Sequence, residues 1–164
     1  MATEEAKAVL ISLRKIVRYL RLADRDVEAA CHLSAAQLFV LHTVAETPGL
    51  SLADVAEETL TDQSSVSTVV ARLVGRGLVN RRASRADGRR AELRLTAAGQ
   101  RMIRTAPPPP QEKMIAAIRA MPPARRGEVV RALDALAAAI GANEVPPRML
   151  FEDEPPRRRA PVTR

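Results

Sequence analysis

The residues best equipped for chemistry are hydroxyls and arginines, and they stand close together. Ser64, Ser65, Ser67, Thr68 and Arg72 occupy one short run, and Arg85, Arg89 and Arg90 surround an Asp87-Gly88 pair soon after it. Hydroxyls can bond base edges or phosphate oxygens, and the arginine fork matches guanine or phosphate. No convincing nucleophile with a base can be assigned, and no Gly-rich phosphate loop occurs. Cys31, His32 and His42 lack the carboxylate cluster that would make them metal ligands. The expected chemistry is therefore recognition, with no enzymatic activity, no cofactor and no metal.

The charge points the same way. The chain has 164 residues and a formal net charge of +7. From Arg72 to Arg104 ten arginines face only Asp87 and Glu92, a local +8, so the remainder sums to −1. The excess is one patch, and a patch of this kind suits a polyanion better than general solubility. Aromatic residues are only 2% of the chain, which disfavours base-stacking RNA platforms and a β-sandwich core. A single cysteine excludes an intramolecular disulfide. The acidic N-terminus lacks the basic start of a signal peptide, and no apolar run is long enough for a bilayer. The expected location is cytoplasmic, with no membrane partner.

These residues need elements to hold them. Thr3 can cap a helix over 4–29, with an apolar stripe through Val9, Leu10, Leu13, Ile16, Val17 and Leu20. Ser34 with Gln37 has the capping-box pattern and opens a helix to about Glu46, stopped by Pro48-Gly49. Ser51 with Asp54 repeats that logic more weakly and opens a short helix to about Glu58. Asp62 caps a helix from Gln63 to about Arg76, and Gly77 supplies the left-handed residue after it. The period then changes. Residues 78–82 and 92–95 read as strands around the Asp87-Gly88 turn. Thr96 caps a further helix, which Pro107 to Pro110 must interrupt. Helices over about 111–121 and from Pro122-Pro123 to Gly141 complete the chain, the last with a stripe through Val129, Leu133, Leu136, Ala137 and Ile140. Residues 146–164 read as a disordered tail.

The fold class expected is mainly α with a small β-hairpin wing: a winged helix-turn-helix core plus a flanking helical domain, which the resemblance given below makes a helical dimerisation domain. The short helix and its successor are joined by a turn of about four residues, which is helix-turn-helix spacing. In such a unit the N-terminal side chains of the second helix read the major groove. Val66 faces inward on that reading, which leaves the serines and Thr68 outward, with Arg72 one turn further along. Arginines on a hairpin tip suit a narrow minor groove.

Residues 34–99 resemble the winged-helix core of the MarR family of bacterial transcription regulators. The likeness rests on SLADVAEE, then SSVSTVVARLVGRGLVNRR, then ADGRRAELRLTAAG, where Asp87, Arg89, Leu95, Thr96 and Gly99 match the family pattern. Flanking helices match in number and position, so the likeness extends over about residues 5–142. It implies DNA contacts from Ser64, Ser65, Ser67, Thr68 and Arg72. It also puts Arg89 in the minor groove, with Asp87 bracing the wing by pairing with an arginine. Arg85 and Arg90 share the tip with Arg89. It further implies a homodimer on a palindromic operator of double-stranded DNA, repression of neighbouring genes, and release by a small-molecule effector. Regions 1–33 and 97–145 would form the dimerisation part, and 34–96 the DNA-binding part. The ligand place in the family suggests a lining from the first, second and fifth helices, largely aliphatic here. Pro107 to Pro110 depart from the uninterrupted helix of many members. Two alternatives stand beside this reading: a winged-helix interaction module without operator binding, and a thiol-based redox regulator using Cys31, which follows the expected end of the first helix.

Overall fold

The computed structural model describes residues 3–83, 91–145 and 148–152. Among them seven α-helices and one antiparallel hairpin follow in order: α1 (Glu4–Cys31), α2 (Ala35–Glu46), α3 (Leu52–Glu58), α4 (Gln63–Gly75), β1 (Val79–Ala83), β2 (Ala91–Leu95), α5 (Ala97–Thr105), α6 (Pro110–Ala120) and α7 (Pro123–Ala139). A short 3-10 turn, Ala142–Glu144, follows α7. The architecture is the mainly α, hairpin-winged class that the sequence predicts.

Local capping sets most of these boundaries. Ser34 and Gln37 form a reciprocal box at α2, and Ser51 and Asp54 form another at α3. Each box satisfies two orphan N–H donors of a helix start. Asp62 and Thr96 cap α4 and α5 from their side chains. The α1–α2 corner is fixed from both sides. His32 takes a left-handed φ of 56°, and the Asp24 Oδ1 accepts from the Ala35 N–H at 2.7 Å.

The core gathers around α2. Nine of its twelve residues are buried, so it is apolar on every side and must be surrounded. It packs against α1, α3, α4, α5, α6 and β2. Leu33, Leu38, Leu41, Val55, Val66, Leu73, Val79 and Leu93 are fully enclosed in the same cluster. The hairpin pairs Val79 with Leu95 and Arg81 with Leu93. Its second strand is also tied to the α2–α3 link, because Leu93 donates to Leu50 O at 2.8 Å and accepts from the Gly49 N–H at 3.0 Å.

The proline segment breaks the helix as expected. α5 ends at Thr105, and α6 restarts with Pro110 in its first turn, where a missing N–H costs nothing. α6 then lies across α2, and the His42 Nδ1 faces the Glu112 Oε1 at 3.3 Å. Burial pushes the Glu112 carboxyl up, His42 opposes that, and Glu46 adds to it.

Two expectations need correction. Cys31 is the last residue of α1 and lies within it; its thiol is buried and donates to Val27 O at 3.1 Å. The tail expected over 146–164 is not wholly apart from the core. Met149 is only 7% exposed and belongs to the core cluster. Gln111, also buried, donates through Nε2 to Leu150 O at 3.1 Å. The apolar residues of Met149-Leu150-Phe151 interrupt an otherwise polar end, and Met149 gains a core position by folding back. Residues 146–147 and 153–164 lie outside the described part.

Candidate nucleic-acid interface

The helix-turn-helix unit is built from α3, a four-residue turn and α4. Val55 and Ala56 of α3 join Val66, Val69, Val70 and Leu73 of α4 in the core. The turn closes tightly, with the Thr61 N–H on Ala56 O at 3.0 Å. Leu60 carries its bend at φ 55°, a left-handed value unusual for a branched residue, with the side chain 72% exposed.

Asp62 starts α4 by accepting from the Ser64 and Ser65 N–H groups, each at 2.9 Å. The Ser65 N–H first, then the Ser64 hydroxyl, hold its carboxyl down at about 2 from an ordinary 3.8. Above it lies the first exposed turn of α4. Gln63 and Ser64 are exposed, and Ser67, Thr68 and Arg72 are half-buried. Thr68 donates to Ser64 O at 3.1 Å. Ser65 departs from the expected set. It is 1% exposed, because α4 packs against both α2 and α3 and buries 65 and 69 as well as 66, 70 and 73. Its hydroxyl is therefore not on the outward face.

The hairpin is anchored to this unit at one knot. Gly77 turns the chain out of α4 at φ 67°. The Leu78 carbonyl accepts from the Thr96 N–H at 3.0 Å, and the Thr96 hydroxyl donates to Gly77 O at 2.6 Å. That hydroxyl also accepts from the Gly99 N–H at 3.0 Å. A methyl group at Gly99 would stand 2.2 Å from the Leu78 oxygen, so only glycine fits this crossing. The knot sets the direction in which β1 leaves α4.

Beyond the knot Arg81 and Arg82 are exposed on β1, while Arg94 on β2 pairs with Glu92 at 2.9 Å. Arg81 and Arg82 stand out in sequence only as part of the basic run, since nothing local distinguishes them from their neighbours. Arg85, Asp87, Arg89 and Arg90 lie outside the described residues.

A cleft of about 470 Å³ opens between the end of α2, the base of the hairpin and α5. Val44, Leu95 and Ile103 supply apolar walls, and Arg82, Arg94 and Arg104 supply cations. Among the described residues no group of three His, Cys, Asp or Glu could hold a metal. No single helix among them is long and apolar enough to cross a membrane.

Comparison with known proteins places the fold. Residues 33–90 match the sequence profile of the MarR family. BpsR of Bordetella bronchiseptica, whose DNA binding is regulated by 6-hydroxynicotinic acid, is 25% identical. The match covers 84% of this chain and 98% of BpsR, at a TM-score of 0.57. The PcaV transcriptional regulator of Streptomyces coelicolor, solved with its natural ligand, is 24% identical over 85% of this chain and 99% of its own, at 0.56. The transcriptional regulator BldR of Sulfolobus solfataricus is 19% identical over 85% and 99%, at 0.54. Among curated proteins none matches the chain.

Proposed function

We propose that this chain, whose winged-helix segment is that of the MarR family, is a DNA-binding transcription regulator that represses from a palindromic operator as a homodimer. The observation that carries the reading is the exposed start of α4, set beside the strongly basic hairpin by the Thr96–Leu78 knot. Gln63, Ser64, Ser67 and Thr68 would meet base edges in a major groove, with Arg72 on a guanine or a phosphate. Arg85, Arg89 and Arg90 would follow into the flanking minor groove, with Asp87 bracing the tip. Arg81 and Arg82 would add phosphate contacts. Ser65 acts in this scheme as a packing residue.

Residues 1–33 and 97–145 are proposed as the dimerisation part and 34–96 as the reading part. Val9, Leu10, Ile16, Val17 and Leu22 on α1 are each close to half exposed. α7 buries no residue at all and leaves Val130 and Leu133 more than half exposed, as is Ile140 just past its end. Apolar surface on this scale is rarely left to water, and two-fold symmetry would cover both helices at once. Two reading units would then sit about 34 Å apart, one turn of DNA. The cleft between α2, α5 and the hairpin base suits a small organic anion, whose seating there would move the wing.

The test is a gel shift on the DNA upstream of the gene, at moderate salt. Arg89→Ala should weaken binding and relax any A·T preference beside the half-site, and Arg72→Ala should weaken it too. Each arginine–phosphate pairing removed should flatten the fall of log K with log salt by ~0.9. Binding of both variants as tight as wild type would overturn the assignment of wing and helix. The buried, hydrogen-bonded thiol of Cys31 favours packing over a redox role.

A further inference from the structure

We infer that Arg76 is a positioning residue that straps the reading helix to the long helix α1, and that it does not hold a phosphate. The inference rests on the proposed DNA-reading role of α4 and concerns how that helix is held and regulated.

Two independent observations meet at this residue. Arg76 is the C-cap of α4, and its guanidinium Nη1 donates to the carbonyl oxygen of His32. His32 is itself the left-handed C-cap of α1. The last turn of α1 holds no basic residue of its own, although the end of a 28-residue helix carries the negative pole of its dipole and several unpaired carbonyls. Arg76 brings the missing cation from 44 residues away. An exposed arginine in a basic patch would ordinarily be assigned to DNA. Here one of its donors, Nη1, is turned toward the protein, at the end of α4 opposite the one that reads bases.

The consequence is mechanical. The end of α1 is fixed to α2 by the Asp24–Ala35 hydrogen bond and to α4 by Arg76. Movement of α1, the helix with the largest exposed apolar face, therefore reaches α4 without passing through the hairpin. A dimer that shifts its α1 helices would turn its reading helices with them.

The test compares Arg76→Met, which keeps the aliphatic stem, with Arg76→Lys, which keeps a cationic donor. Amide hydrogen exchange of the full chain is read over residues 28–33 and 72–78. In Arg76→Met, exchange in both segments should rise about fivefold, the effect of removing one solvent-exposed hydrogen bond of ordinary net strength, and Arg76→Lys should restore most of the protection. Binding to a mixed-sequence 30-base-pair duplex is then measured against salt by anisotropy. Arg76→Met should bind more weakly with an unchanged salt slope, whereas Arg82→Ala should lose ~0.9 of slope. Unchanged exchange, a rise in only one segment, or no rescue by lysine would each overturn the strap. A slope reduced in Arg76→Met would make Arg76 a phosphate ligand instead. Should the wild type bind no DNA, the proposed function fails and the exchange comparison alone decides the strap.

Discussion

Replacement of Gly99 by alanine is the sharpest test of the crossing between the hairpin and α5. The new methyl carbon would lie 2.2 Å from the Leu78 oxygen and 3.2 Å from the Leu78 carbon. Carbon and oxygen approach to about 3.3 Å at best, so the two backbones must part by about 1 Å. Both are held: Leu78 by the turn after α4, and Gly99 by the Thr96 hydroxyl at 3.0 Å. Parting them stretches the Thr96 N–H to Leu78 O bond well past its 3.0 Å, a loss of about 1 kcal/mol. Overpacking of this kind costs about 1–3 kcal/mol more. Alanine returns about 1 kcal/mol as a better helix former. The net expectation is a loss of about 2 kcal/mol, or about 4–8 °C in Tm for a chain of this size. Gly75→Ala is the control, since nothing lies within 4 Å of its added methyl; it should gain up to about 1 kcal/mol. Thermal unfolding followed by the helical circular-dichroism signal, with all proteins at one concentration, separates the two. If Gly99→Ala melts at or above wild type, the close approach is absent and the account of the wing's orientation fails.

Other outcomes follow from single interactions. Asp62→Ala should lose about 1 kcal/mol as an N-cap is removed. The Asp62 carboxyl is held at about 2, below its ordinary 3.8, so its contribution is full above that ordinary value and fades as pH falls toward 2. Denaturant melts of wild type and Asp62→Ala should therefore converge over that window. Leu60→Asn should raise stability by up to about 1 kcal/mol, because asparagine tolerates φ 55° and the leucine side chain is 72% exposed; a lower urea midpoint would contradict this. Met149→Ala should cost about 2–3 kcal/mol, and proteolysis should then cut the C-terminal end faster. An unchanged urea midpoint would show that Met149 is not a core residue.

The parts legible in the sequence are those decided within a few residues. Ser34 with Gln37, Ser51 with Asp54, Asp62 and Thr96 each satisfy donors three residues away or fewer, so their helices begin where the pattern places them. Gly77 is equally local. The basic patch is legible because charge adds along the chain whatever the fold. What escapes depends on packing between distant elements. Ser65 reads as outward because Val66 beside it faces inward; two neighbouring helices widen the buried face of α4. Met149 enters the core through a fold-back that no period announces. The Arg76–His32 strap joins residues too far apart for spacing to suggest. The stripe on α7 is visible in sequence, yet only the structure shows that the described residues leave it largely uncovered.

The burial of α2 on every side has a further consequence, for how the protein comes apart. One helix serves as the shared floor of the helix-turn-helix unit, the hairpin and the proline-bounded α6. None of the three can shed its tertiary packing while the others keep a complete core. Unfolding should thus be a single cooperative event, with near-coincident transitions for probes on α4 and on α6. A damaging substitution anywhere along α2 would then reduce the proposed DNA reading and the proposed assembly together, leaving no partially active species.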